Sequence, residues 1–358
     1  MGLAPRTVLI PGGAGFVGSN LAIRFKERHP DVRVISLDNL KRRGSELALN
    51  RLASAAVEFV HGDIRCRDDL DELPGFDLVI DCSAEPSVHV GSDGGADYLL
   101  QTNLVGTVNL LELARRNDAA FLFLSTSRVY PLNRLNRLRI HERSLRLEWA
   151  DPTAEDGLSS SGIAENFPLD GPRSLYGASK LAGELLLQEY AYSFAMPAMI
   201  NRCGVLAGPW QMGRVDQGFV TLWVARHVFA DRPLAYIGYG GTGKQVRDIL
   251  HVDDLGNLID NQLRDEAEWN ATPFNIGGGM DGSISLVELT TLCRSVTGVV
   301  REIGSEPETS SVDIPIYVSD CRRAEQVFDW RPERRPENII ADIHRWIRDH
   351  VGELEGVM

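Results

Sequence analysis

The stretch TVLIPGGAGFVGSNLAIRFKER, residues 7 to 28, decides the fold. TVLI (7 to 10) reads as a buried strand, residues 16 to 28 carry apolar side chains at helical spacing, and glycines join the two. Gly12, Gly15 and Gly18 fit GxxGxxG, while Gly13, Gly15 and Gly18 also fit GxGxxG. At a strand-to-helix junction such glycines permit a tight turn and let the backbone approach a pyrophosphate. The anion then rests on the unpaired N–H groups of the helix start, here at Phe16 and Val17. A second strand, VRVISL (32 to 37), runs into Asp38 and Asn39, and Asp38 stands where a carboxylate accepts hydrogen bonds from the adenosine ribose. That placement favours NAD. A 2′-phosphate would be repelled unless Lys41, Arg42 and Arg43 compensated. Asp63 and Ile64, after a third strand VEFV (57 to 60), either flank the adenine or simply end a strand in solvent.

The alternation continues through DLVIDC (77 to 82), FLFLS (121 to 125) and MPAMINRC (196 to 203), with a helical stretch at 101 to 116. Strand, helix, strand is the pattern of a parallel sheet covered on both faces, so the expected class is α/β, a Rossmann-type doubly wound sheet. Beyond residue 204, Gly- and Pro-rich stretches such as GVLAGPWQMG and FNIGGGMDG interrupt shorter helices. We therefore expect a dinucleotide-binding domain over 1 to 203, carrying an insertion at 131 to 175. A smaller, loop-rich C-terminal substrate lobe follows over 204 to 358, with or without short segments that return to the first sheet.

The chain has 358 residues and a net charge of -13, which opposes a nucleic-acid role. Its five cysteines are scattered without metal-ligand spacing, so reduced thiols and no metal are expected. No apolar stretch approaches 18 residues and no signal-peptide core is visible, so a cytoplasmic protein without membrane association is expected. The Arg-rich opening of the insertion, PLNRLNRLRIHERSLRLEW, reads as a solvated charged face.

Two further stretches carry chemistry. In LSTSRVYP (124 to 131) three hydroxyls, Ser125, Thr126 and Ser127, close an apolar strand. In SLYGASKLAGELLLQEY, Tyr176 and Lys180 are four residues apart and share a helix face. Lowering a phenol from pKa ~10 to neutrality takes roughly 4 kcal/mol, and one ammonium about 4 Å away supplies roughly that. Lys180, aided by a positive nicotinamide ring, would make Tyr176 a base.

Taken together, GGAGFVG, the Asp38 strand end, Asn103 in QTNLVGTVNLLE, STS, YGASK and GKQVRDILHVDDL resemble the extended short-chain dehydrogenase/reductase family, the nucleotide-sugar epimerases and dehydratases. The resemblance covers essentially the whole chain. It implies that Tyr176 is the general base, that Lys180 holds the nicotinamide ribose, and that Thr126 first, or Ser127 second, hydrogen-bonds the reacting oxygen. Ala84, Glu85 and Pro86 would line the nicotinamide and substrate, with Glu85 and His89 as candidate contacts. Arg247 would bind a nucleotide diphosphate, with Lys244, Gln245 and Asn201 as further contacts. Gln217 would either reach the substrate or cap the helix that Asp216 begins.

The resemblance also discriminates among reactions. Dehydratases of the family carry Thr-Asp-Glu where this chain has Thr126-Ser127-Arg128, and decarboxylases carry Glu at the Arg128 position, so elimination and decarboxylation are disfavoured. Arg128 itself is expected to pack or form a salt bridge rather than act. Most carbon-4 epimerases have Asn and Tyr where Val205 and Ala207 stand, and VDQG, GKQVRD and DNLKRRG look most like the CDP-paratose 2-epimerases. The expected activity is NAD-dependent epimerisation at carbon 2 of a CDP-hexose, by transient oxidation to a ketone and hydride return to the opposite face. A carbon-4 epimerase or reductase of a UDP- or GDP-sugar remains the alternative, as does a dinucleotide-sensing binding protein. A homodimer or homotetramer through helices near 101 to 116 and 176 to 194 is implied.

Overall fold

The computed structural model describes residues 2 to 87, 95 to 214, 217 to 229, 233 to 355 and 357 to 358. Seven strands form the large sheet: β1 (Thr7–Pro11), β2 (Arg33–Asp38), β3 (Glu58–His61), β4 (Leu78–Asp81), β5 (Ala120–Thr126), β6 (Ala198–Cys203) and β7 (Asn270–Ile276). Their order is β7-β6-β5-β4-β1-β2-β3. All neighbours are parallel.

The sequence explains why the sheet is buried on both faces. Val8, Ile10, Leu122 and Leu124 pack into one apolar core, and Leu9, Val79, Phe121 and Phe123 into another on the opposite side. Successive residues of a strand point to opposite faces, so an uninterrupted apolar run requires cover on both. The helices Phe16–Arg28, Thr107–Arg116 and Leu175–Phe194 belong to that cover. The expected helix at 101 to 116 is longer and interrupted: Ala96–Leu100 passes through a π-helical segment, Gln101–Gly106, before the α-helix resumes.

Strand order reverses at β1, with β2 and β3 on one side and β4 to β7 on the other. At such a reversal the connections leave in opposite directions and open a crevice at the strand carboxyl ends. A second sheet faces it, built from Val205–Ala207, Val246–His251 and Ser283–Ser285, with Ile316–Tyr317 pairing to the central strand. Trp223, Leu289, Ile340, Ile343 and Ile347 form its core. Residues 270 to 276 return from this second sheet to edge the large one as β7.

The insertion ties the two sheets together. Its hairpin, Ile140–Glu142 with Leu147–Trp149, bonds to the second sheet through Leu147 N to Lys244 O at 2.8 Å. Arg146 pairs with Glu288 at 2.7 Å, and Arg134 pairs with Glu155 and Asp170. Arg134 and Arg146 are thus matched to carboxylates, while Arg137, Arg139 and Arg143 are exposed and keep the solvated face expected of this stretch.

Gly12 has φ of +70°, the left-handed region, and a Cβ there would meet the Cys82 backbone at 2.7 Å. At Gly18 a Cβ would stand 2.2 Å from the Gly12 carbonyl oxygen, whereas at Gly15 its nearest neighbour would be that oxygen at 3.1 Å. Gly18 is therefore required by helix-to-loop packing, and Gly15 faces the crevice. Gly18→Ala is expected to lose about 1–3 kcal/mol of stability in urea unfolding. Gly15→Ala should lose distinctly less while retaining less NAD after purification.

Candidate active site

The crevice between the two sheets is a cavity of about 1120 Å³, larger than the roughly 300–1,000 Å³ of a single small-molecule site. Gly12, Ala14, Gly15, Phe16 and Val17 line one end. No side chain caps the helix start at Gly15 and its first turn holds no acidic residue, so its N–H groups are left for an anion. Asp38 ends β2 beside them, accepting from Ala14 N at 3.1 Å and Leu40 N at 2.8 Å, and burial raises its carboxyl. Asn39 donates to Asp63 at 2.9 Å, and Asp63 is held well below the usual carboxylate range by Arg65. Ile64 packs on Gly106, and its carbonyl accepts from Asn109. Lys41 lies over the Tyr98 ring, 3.0 Å from its centroid, rather than beside Asp38 as a phosphate partner. A crowded glycine turn, an uncapped helix start and a strand-end carboxylate are the donor set a dinucleotide needs, and these residues fit NAD.

The reacting groups come from β5 and the helix after Ser174. Ser174 caps that helix by accepting from Gly177 N at 3.2 Å, which places Tyr176 and Lys180 one turn apart on the cavity wall. The Thr126 hydroxyl, which accepts from Arg128 N at 3.2 Å, lies close enough to the Tyr176 phenol to lower it. Ser127 lines the cavity at the start of the 3-10 turn Ser127–Val129. Burial pushes Tyr176 up to about 12, against which the Thr126 hydroxyl and the Arg128 charge pull down. Lys180 sits over the Phe123 ring, 4.1 Å from its centroid, and burial lowers its ammonium despite the Asp81 charge. The sequence expectation that one ammonium brings the phenol to neutrality thus omitted the cost of burial, and the protein's own charges do not meet it.

Three expected site residues have other partners. Ser125 lines the cavity as well, but its hydroxyl donates to Glu184 at 2.5 Å, and Glu184 binds Arg202 at 2.7 Å, so the hydroxyl is committed to a buried network. Asn201 is fully buried and exchanges amide hydrogen bonds with Gln262 at 2.8 and 3.0 Å, away from the cavity. Lys244 pairs with Glu142 of the insertion at 2.7 Å and does not line the cavity. For Asn201 and Lys244, strand alternation and hairpin packing turned the side chain away from the cavity.

Asn103 works behind the wall: from the π-helical segment its amide binds Glu85 N at 2.7 Å and Glu85 O at 3.0 Å. It thereby shapes the loop whose Ala84 and Pro86 line the cavity. Glu85 lies close enough for its charge to raise Tyr176. His89 and Asp216 lie outside the described residues; the helix near Asp216 spans Phe219–Phe229, and Gln217 lines the cavity.

At the far end, Gln245 donates to Ile237 O at 3.0 Å, and Arg247 binds Asp313 and the Ile314 carbonyl at 2.7 and 2.6 Å. Both line the cavity, together with Trp210, Gln211, Trp223 and Asp313, none of which the sequence singled out. Only an Arg247 waiting for a carboxylate hinted at Asp313. Arg128 also lines the cavity, with one hydrogen bond to Val312 O at 3.2 Å, and has no carboxylate partner among the described residues. The expected salt bridge is absent because the nearest acid, Asp313, is taken by Arg247.

Residues 8–277 match the model of the NAD dependent epimerase/dehydratase family. The chain is 30% identical over 350 residues to the CDP-paratose 2-epimerase of Salmonella typhi, covering 95% of this chain and 98% of that one. Its fold is similar to the dTDP-glucose 4,6-dehydratase of Streptomyces venezuelae solved with NAD, at 25% identity and TM-score 0.79 over 98% of this chain and 100% of the other. A UDP-glucose 4-epimerase of Thermotoga maritima shares the fold at 22% identity and TM-score 0.74, over 96% and 99% of the two chains.

One buried acid beside the site has a strongly raised carboxyl. Asp248 lies beneath Gly204 and Gly277, accepts from Gly279 N at 3.3 Å, and is pushed by burial up to about 6. The native state then holds this proton more tightly than the unfolded chain. The stability it contributes is whole below the unfolded value near 3.8 and is lost as pH rises through 6, a swing of roughly 3 kcal/mol. Asp248→Asn is expected to match the parent in urea unfolding at pH 4 and to exceed its stability at pH 7.5.

Proposed function

The chain belongs to the NAD dependent epimerase/dehydratase family, and on that premise we propose that it epimerises carbon 2 of a CDP-hexose. The observation that carries this reading is the composition of the wall around Tyr176. Among the described residues the carboxylates lining the cavity are Glu306 and Asp313, and Asp313 is tied to Arg247. Elimination of water needs an acid and a base beside the tyrosine, and Ser127 and Arg128 offer neither carboxylate. Val205 on the cavity wall and buried Ala207, in place of the Asn and Tyr of most carbon-4 epimerases, favour carbon 2. The likeness to a CDP-paratose 2-epimerase supports the same choice.

In this reading Thr126 orients the sugar carbinol toward Tyr176, which takes its proton. NAD, when bound, accepts and returns the hydride and sets a cationic ring beside the phenol. Bringing the phenol to neutrality from about 12, where the Arg128 charge already pulls it down, takes roughly 7 kcal/mol, and the balance falls to the bound ligands. Arg247 faces the diphosphate with its guanidinium charge, its terminal N–H groups being bonded to Val246 O, Asp313 and Ile314 O. A homodimer or homotetramer is proposed through the helix Leu175–Phe194, which exposes Leu185, Tyr192 and Phe194. No helix of the described residues is long and apolar enough to cross a membrane.

Two measurements test the reading. Purified protein is expected to convert a CDP-hexose to its carbon-2 epimer without added cofactor; conversion of UDP-glucose to UDP-galactose instead would replace carbon 2 by carbon 4. Tyr176→Phe should lower turnover about 10³-fold while keeping bound NAD, and an unchanged biological effect of that variant would point to a binding protein.

A further inference from the structure

We propose that Arg128 is a second anion-binding residue, which joins Arg247 to grip the sugar-linked phosphate of the substrate diphosphate. This rests on the nucleotide-sugar reading above but not on the carbon that is epimerised.

Two guanidinium groups converge on one short turn. Arg128 reaches Val312 O at 3.2 Å, while Arg247 reaches Asp313 Oδ1 at 2.7 Å and Ile314 O at 2.6 Å. Both line the same cavity. Arg247 is saturated on this side by a carboxylate and by the Val246 and Ile314 carbonyls. Arg128 makes a single hydrogen bond through a group with five donors, and its remaining N–H groups are not among the buried atoms that lack a partner. Those donors are therefore open to the cavity.

The charges do not balance in the protein alone. Asp313 is paired with Arg247, and the other lining carboxylate, Glu306, is exposed, so the Arg128 charge has no carboxylate partner among the described residues. Burial and the neighbouring Arg247 charge push the Arg128 guanidinium down to about 10, a cost that a bound anion would offset. Position selects the anion. Arg128 follows Thr126 by two residues and its charge acts on Tyr176, so it stands between the reacting groups and Arg247. A nucleotide sugar laid along that line presents the phosphate nearest the sugar to Arg128. A planar fork with several free donors suits two phosphate oxygens.

The test compares nucleoside mono- and diphosphates, with no turnover involved. NAD-loaded protein would be titrated calorimetrically with CMP and CDP, and with the uridine, guanosine and thymidine pairs. Unaltered protein is expected to bind at least one diphosphate more tightly than its monophosphate. Arg128→Met should weaken that diphosphate about 10- to 100-fold, with the monophosphate within about two-fold. Arg128→Lys, which keeps the charge without the fork, should recover part of the loss and guards against misfolding. Equal weakening of mono- and diphosphate, or an unchanged preference in Arg128→Met, overturns the proposal. If unaltered protein binds none of the four diphosphates, the nucleotide-sugar reading itself fails, a result distinct from a flat response to Arg128→Met.

Discussion

The Glu184 carboxylate, buried between Ser125 at 2.5 Å and Arg202 at 2.7 Å, is the constraint on which the reacting geometry depends. It lies one turn beyond Lys180 on the helix that carries Tyr176, while Ser125 belongs to β5 and Arg202 to β6. One ion pair thus pins a helix across two strands. Arg202 extends the network to the Tyr130 hydroxyl at 3.3 Å, and Tyr130 donates to Asn275 of β7 at 2.7 Å. Removing one partner of a buried pair costs about 3–5 kcal/mol, because the other charge stays in the interior. With the register held this way, Thr126 meets the Tyr176 phenol without depending on a mobile loop.

The cavity built on this frame is electrically one-sided where the substrate would lie. Burial raises Tyr176 to about 12, so the protein by itself keeps the phenol protonated, and it lowers Lys180 and Arg128, which makes their charges costly to hold. Ligands that bring a positive ring to the phenol and negative phosphates to the arginines reverse both penalties. Binding and activation are then one electrostatic event, strengthened because water is displaced from a low-dielectric crevice.

Much of the site was legible because its chemistry is local. Gly12, Gly15 and Gly18, or Tyr176 and Lys180, lie within a turn or two of one another, and helix or strand periodicity sets their relative positions. Arg128, expected to pack or form a salt bridge, was less legible for the opposite reason: whether it finds a carboxylate depends on segments such as that of Asp313, 185 residues away and paired with Arg247. Asn201 and Lys244 were misplaced because sequence proximity to site residues says nothing about Gln262 or Glu142, the partners that claimed them.

What the sequence by itself determined is the parallel sheet, the dinucleotide turn and the identity of the tyrosine-lysine pair, since apolar runs, glycine spacing and one helix turn are short-range constraints. The tertiary structure alone decided which hydroxyl faces the phenol and how far burial raises it. It also decided that Arg128 lines the cavity beside Arg247. Those outcomes depend on desolvation and on competition for long-range partners, and both arise only when distant segments close on one another.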